Sequence, residues 1–268
     1  MKLLLSEARA DYTSYVFGYA VWGIPESGES PADCFAHGFL PGSRQMDRYY
    51  LCRHLRVDLR KFELNSENRR ILRKGEGIEF TIVEKPQFQW NSERRTFCKT
   101  YADERFGEAV MTEERLDSIF TGEVTSHVAV FKEAASGREL GIVPLFLQTG
   151  RMAYYYYGFY DLAFMAANLG MFMMTCMVNH FWNAGFPFIY LGTCYSDRAL
   201  YKTQFKGIEF FNGNQWSGNI RELKYLLARD KTRPTTHLLE EQEYMVPFQH
   251  EGLTGLIQKS KTRTIDHD

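Results

Sequence analysis

The chain has no surplus of charge. Its 32 Lys and Arg stand against 33 Asp and Glu, a formal net charge of −1 over 268 residues. That balance excludes a protein whose whole surface engages nucleic acid and leaves room only for a local basic patch. Cysteines are few and dispersed, at positions 34, 52, 98, 176 and 194, an odd number with no C-x-x-C pair. Neither a disulfide framework nor a zinc site is expected, and reduced thiols in a cytoplasmic protein are the simpler reading. His37, His54, His127 and His180 follow no metal-ligand spacing, so no metal and no cofactor is expected. Internal repeats and low-complexity linkers are missing. The opening MKLLLSEARADY has three leucines before Ser6 and Glu7, too few for the apolar core of a signal peptide.

Only one uncharged run is long. Residues 162–182, LAFMAANLGMFMMTCMVNHFW, contain no Lys, Arg, Asp or Glu. The length suffices to cross a membrane. However, Asn168, Thr175, Asn179 and Asn183 fall on one narrow stripe at helical spacing. Gly170 interrupts the run, and no basic cluster flanks it. A core helix with one polar seam is the reading, and no membrane partner is expected.

What is present is a 44% apolar composition, enough for a sizeable core, with 16 Tyr, 21 Phe and 4 Trp. The periodicity predicts a mixed α/β chain. Residues 12–31, with Gly18, Gly23, Pro25, Gly28 and Pro31, read as irregular. Leu55–Leu59 alternates as a strand. Ser66 can cap a helix to about Lys74, where Gly75 and Gly77 stop it. Ile78–Glu84 reads as a strand. Asn91 or Ser92 opens a helix to about Phe106, and Thr112 another to Phe120. Three strand-like runs follow, over 126–133, 139–147 and 152–159, parted by Ser136-Gly137 and Thr149-Gly150. Pro144 predicts a bulge or an edge in the middle run. Next come the apolar helix over 169–184, a strand over 187–192, a helix over 196–205, a strand at Ile208–Phe211 and a helix over 219–229. The expected division is an irregular N-terminal segment over 1–54 packed on a main domain over 55–258, with a mobile tail over 259–268.

This order resembles the GNAT acyltransferase fold, in which the strand before the buried helix splays from its neighbour and the acyl donor sits in the gap. Three blocks narrow the resemblance. They are LRVDLRKFELNSENRRILRK (55–74), YYGFYDLAFMAANLGMF (156–172) and PFIYLGTCYSDRALYKTQF (187–205). In order and spacing they resemble the aminoacyl-tRNA–protein transferases of the N-degron pathway, both arginyl-tRNA–protein transferases and bacterial aspartate/glutamate leucyltransferases. That family commonly carries clustered cysteines for an iron–sulfur centre or metal. Here only Cys52 stands in a matching position, with Tyr49 in its partner's place, so no cluster is expected. Thr193-Cys194 replaces the family's aromatic after Leu-Gly-Tyr.

The resemblance implies an aminoacyltransferase. Its donor is an aminoacyl-tRNA and its acceptor is the α-amine of a protein or peptide beginning with Asp or Glu. Lys202, with Lys206 one turn on, is then the cation for the acceptor's acidic side chain. Residues 53–74 hold eight Lys/Arg against three Asp/Glu. Arg56, Arg69, Arg70, Arg73 and Lys74 are the expected tRNA contacts, although charge runs are usually only solvated. In AYYYYGFYD, Tyr155 and Tyr157 face opposite to Tyr154 and Tyr156 on a strand. One set is core and the other lines a pocket. Asp161 either binds an ammonium or serves a helix N-terminus. Cys194 and Tyr195 line the pocket. No general base is evident, and the proton relay falls to the tRNA's own hydroxyl or to Tyr201 or Tyr157. The alternatives are an acyl-CoA N-acyltransferase, a transferase with a small-molecule acceptor, and an inactive relative that only binds. The first wants a glycine-rich pyrophosphate cradle, and MAANLGMF has one glycine.

Overall fold

The structure, a computed structural model, describes residues 1–259 apart from 12, 14, 15 and 233–235. The chain opens with β1 (Lys2–Asp11) and β2 (Val16–Ile24), antiparallel neighbours from Lys2–Ile24 to Asp11–Val16. Then come α1 (Pro31–Ala36), β3 (Phe39–Pro41), β4 (Tyr49–Leu51), β5 (His54–Asp58), α2 (Ser66–Lys74) and β6 (Ile78–Glu84). The helices α3 (Ser92–Phe106) and α4 (Glu113–Thr121) lead into β7 (His127–Glu133), β8 (Glu139–Gln148), β9 (Met152–Tyr155) and β10 (Phe159–Tyr160). After a 3-10 helix at Leu162–Ala167 follow α5 (Leu169–Asn183), β11 (Phe188–Thr193) and a second 3-10 helix at Asp197–Gln204. β12 (Ile208–Phe211), β13 (Trp216–Ser217), α6 (Ile220–Thr232), α7 (Gln242–Phe248) and α8 (Gly252–Lys259) complete the described chain.

Contacts group the residues into two compact units. The first holds Met1–Arg56, Thr193–Gln204 and the residues from Ile208 onward; the second holds Val57–Gly192 and Phe205–Gly207. The segment from Ile208, assigned by sequence to the main domain, groups instead with the N-terminal residues. The expectation of a mobile tail lies outside the described residues, apart from Lys259 at the end of α8.

In the first unit β1-β2-β4-β3 form one sheet and β5-β12-β13 another row. The irregular reading of 12–31 is therefore corrected: Val16–Ile24 is a strand in spite of its two glycines. A Cβ on Gly23 would lie 2.5 Å from the Met1 sulfur and 3.1 Å from the Phe39 ring. The glycine there serves close packing.

In the second unit the order is β5-β11-β9-β8-β7-β6, with β10 on β8, a mixed sheet covered by helices. One face packs on α3 and α4: Val128, Val130 and Ile142 share a cluster with Cys98, Leu116 and Phe120. The opposite side chains meet α5, where the Phe131 and Phe172 rings stand 6.2 Å apart. Both faces are covered over the inner strands, so β7, β8 and β11 are buried in runs, whereas β6 at the sheet edge alternates. The caps are local. Asn91 and Thr112 accept from the backbone N–H of Arg94 and Arg115. Asn65, rather than Ser66, caps α2 and accepts from Asn68 N–H.

The third expected strand breaks in two. Leu145–Gln148 of β8 pair with β9, and Gly141 and Ile142 pair with β10. Pro144 lies at the break; its carbonyl accepts from Tyr156 N–H at 3.1 Å. The bulge or edge expected of Pro144 in the middle run is corrected: β8 lies between β7 and β9 and stays in register with β7 through the Val128–Pro144 pair. In a hydrogen-bonded antiparallel pair the two residues exchange two bonds, and Pro144 has no N–H to return one to Tyr156. The residues after Tyr155 therefore leave the strand.

Against α5 packs α2, with Phe172 where a Cβ on Gly75 would stand, 2.0 Å away. Two polar atoms on this helix pair are buried and have no hydrogen-bond partner among the described residues, Nδ2 of Asn68 and Oδ1 of Asn179. Asn179 and buried Thr175, whose hydroxyl donates to Met171 C=O at 2.8 Å, belong to the seam seen in the sequence. No described helix is long and apolar enough to cross a membrane.

Candidate functional site

The parallel ladder between β9 and β11 is short. It holds Ile189 opposite Ala153 and Tyr190 opposite Tyr154. Beyond these pairs β9 ends, and β10 joins β8 instead. Past Tyr154 and Tyr190 the two strands are no longer paired. β11 runs on through Gly192, whose φ of +80° suits a residue without Cβ.

Past that glycine the chain enters the first unit, where a polar cluster forms around the strand end. Cys194 N–H donates to Arg53 C=O at 2.9 Å. Arg53 N–H donates to the Tyr195 hydroxyl at 2.7 Å, and the Arg53 guanidinium lies 4.9 Å over the Tyr195 ring. Asp230 holds the guanidinium at 2.7 Å. Lys231 pairs with Asp197. The 3-10 helix then returns Lys202, whose ammonium donates to Thr193 C=O at 3.2 Å.

The helix expected over 196–205 is a 3-10 helix at Asp197–Gln204. Thr203 Oγ1 donates to Leu200 C=O and Gln204 Nε2 to Tyr201 C=O, both at 2.8 Å and both three residues back.

Lys202 is half-buried and has no carboxylate partner among the described residues. Burial lowers its pKa to about 8, against a smaller opposing effect from Cys194. Burial likewise pushes the Cys194 thiol up, with Lys202 and Arg53 opposing. The sulfur is fully buried and its thiolate disfavoured, so it lines the cluster rather than offering a nucleophile. Tyr195 is 53% exposed, and its hydroxyl is also raised, first by burial.

The cost of holding Lys202 charged gives a stability prediction. Its folded pKa lies below the ordinary 10.5, so the unfolded chain binds more protons between pH 8 and 10.5. The penalty is full below pH 8 and fades as pH approaches 10.5. Lys202→Met is therefore expected to be more stable than the parent at pH 7, by about 1–2 kcal/mol, with a smaller gain at pH 10. Paired thermal melts at the two pH values test this, and a destabilised variant at both would sink it.

The remaining candidates are dispersed. Tyr201 is 49% exposed beside Lys202. Lys206 pairs with Glu63 at 2.5 Å in the second unit. Asp161 is engaged by Arg138 and accepts from Ala163 N–H at 2.9 Å, as a helix-start carboxylate does. The two-faced reading of the tyrosines is corrected. Tyr154 and Tyr155 are both buried because β9 is covered on both faces. Tyr156 and Tyr157 have left the strand, and Tyr157 stacks on Phe159 at 5.9 Å. Among the basic residues, Arg56 is bound to Glu209 at 2.8 Å and lies 3.9 Å over Trp216 within the first unit. Arg70 bonds Glu67 at 2.7 Å, whereas Arg69, Arg73 and Lys74 are exposed. No group of three or more His, Cys, Asp or Glu arranged for a metal occurs among the described residues, and all five cysteines are buried and free.

Arg53, Asp230 and the Asp197–Lys231 pair were not foreseen. Arg53 lay in the basic run, but its partners are 142 and 177 residues away.

No family model matches the chain, and no curated protein matches it. Solved structures give partial likenesses. The C-terminal domain of a putative lysylphosphatidylglycerol synthetase from Agrobacterium fabrum aligns at 20% identity and a TM-score of 0.42, over 53% of this chain and 46% of that one. FemX aligns at 12% identity and 0.38, over 53% of each chain. A GCN5-related glucosamine N-acetyltransferase region of a fungal multi-domain β-N-acetylglucosaminidase aligns at 11% identity and 0.40, over 59% of this chain and 20% of that one. The alignments span about half the length of the first two. At these identities and scores the likenesses assign no activity.

Proposed function

We propose that the protein is an aminoacyltransferase that moves an amino acid from aminoacyl-tRNA to the α-amine of a protein or peptide with N-terminal Asp or Glu. The observation that carries this reading is Lys202: a half-buried ammonium at the end of β11, held by a backbone carbonyl and lacking a carboxylate partner among the described residues. An incoming side-chain carboxylate supplies the missing countercharge. The parting of β9 from β11 supports a place for the acyl donor.

The chemistry is acyl transfer from an activated ester. The neutral acceptor amine attacks the ester carbonyl, the tetrahedral intermediate collapses, and the tRNA ribose hydroxyl leaves. It takes up the proton that the amine gives away. Such a reaction asks mainly for positioning and for polarisation of the carbonyl.

The test incubates the protein with a panel of charged tRNAs and peptides beginning with Asp, Glu, Ala or Lys, and reads peptide mass. An added aminoacyl mass on the acidic peptides is expected. Transfer from acetyl-CoA without charged tRNA overturns the donor, and equal transfer to Ala peptides overturns the acceptor.

For the tRNA, the exposed arginines of α2 are Arg69 and Arg73, beside exposed Lys74, since Arg70 is held by Glu67. Arg69→Ala with Arg73→Ala is expected to weaken tRNA binding and to make the slope of log K against log salt shallower by about 1–2 units. An unchanged slope places the tRNA elsewhere.

A further inference from the structure

The second unit holds a cavity of about 660 Å³, within the range of small-molecule sites. Three turns enclose it: the link from α2 to β6, the β7–β8 hairpin and the approach to α5. Its floor is apolar and buried, formed by Leu140, Leu169 and Phe172. Phe172 is fixed there because its ring fills the place of a side chain on Gly75. Gly77, with φ of +87° and nothing within 4 Å of a Cβ position, leaves one wall open.

The polar groups lie on the rim. Glu76 is exposed, and Glu133 is half-buried with a bond from the Ser136 hydroxyl at 2.5 Å. Neither is in an ion pair among the described residues. Lys74 is the one lining cation, and its charge acts on Glu67 of the same helix. Nearby Arg138, 5.6 Å from the Phe164 ring, is matched by Asp161. Two lining carboxylates against one lining ammonium leave the rim with an excess of negative charge, and the walls favour hydrocarbon.

We propose that this cavity binds an organic ammonium carried on an apolar body, the hydrocarbon on Leu140, Leu169 and Phe172 and the cation at Glu76 and Glu133. The site stands apart from the proposed transfer and does not depend on it.

Calorimetric titration of the full chain with octylammonium, octanol and octanoate, each below its aggregation concentration, tests the proposal. Octylammonium is expected to bind at least tenfold more tightly than octanoate. Ala135→Trp, at an exposed rim position, should lower octylammonium affinity at least tenfold without changing the melting temperature. Glu76→Gln with Glu133→Gln should reduce the preference for octylammonium over octanol to less than threefold. Equal binding of octanoate overturns the charge assignment. Full octylammonium affinity in Ala135→Trp means adsorption elsewhere and overturns the site.

Discussion

Replacing Lys202 by alanine is expected to lower kcat/KM for a peptide with N-terminal Asp by about 30- to 1000-fold, the equivalent of about 2–4 kcal/mol for losing one partner of a partly desolvated ion pair. Affinity for aminoacyl-tRNA should hardly change. An Ala-initiated peptide, with no side-chain charge to pair, should lose much less. The pH profile makes the test sharper. In the free protein Lys202 titrates near 8, so the cation is present below that value and is lost above it. The acceptor α-amine, with an ordinary pKa of about 7.7–8.0, must be neutral to attack. The two requirements give a bell-shaped kcat/KM with its maximum near pH 8. Lys202→Arg should retain preference for acidic acceptors and abolish the alkaline fall, since a guanidinium stays charged throughout. If Lys202→Ala weakens tRNA binding but leaves the choice between Asp and Ala acceptors unchanged, the lysine belongs to the donor side and the assignment fails.

The largest stability effect is expected at Glu222, far from any proposed chemistry. Its carboxylate is 3% exposed and gathers donors from three separate stretches of the first unit. Asn212 Nδ2 donates at 2.9 Å, Ser217 Oγ at 2.6 Å and Tyr244 OH at 2.7 Å. These bonds tie α6 to the β12–β13 link and to α7. Glu222→Ala removes the common acceptor and leaves Asn212 and Tyr244 with buried donors unmet. The expected loss is about 3–5 kcal/mol, read by urea denaturation. Glu222→Gln keeps one carbonyl oxygen and should lose less than half of that. A Glu222→Ala protein within about 0.5 kcal/mol of the parent would show that the network relaxes freely.

Local chemistry made much of the fold legible. α3 and α4 begin at the capping residues read from sequence, and β6 spans the predicted Ile78–Glu84. The meander was marked by its turn residues, but the break of the third run was not foreseen, since Pro144 was read as disturbing its own strand rather than its neighbour. The first hairpin was obscured by the opposite situation. Leu4 and Leu5 are adjacent and both exposed, so no alternation announces β1. The glycines of β2 imitate a loop. At the candidate site, Lys202 and Thr193 were legible because nine residues separate them. The Arg53–Tyr195–Asp230 grouping depends on tertiary approach, which periodicity does not encode.

The Asn68–Asn179 couple has a consequence for how α2 and α5 find each other. Gly75 meets Phe172, and the two asparagines lie seven residues from that contact, one back along α2 and one forward along α5. Asn68 Nδ2 is a donor and Asn179 Oδ1 an acceptor, and each is buried without a hydrogen-bond partner among the described residues. Each unmet group costs the folded protein about 1–3 kcal/mol, so the polar seam holds α2 to α5 with less cohesion than apolar contacts alone would give. The close fit of Phe172 against Gly75, where no larger residue has room, is what sets how near the two helices come.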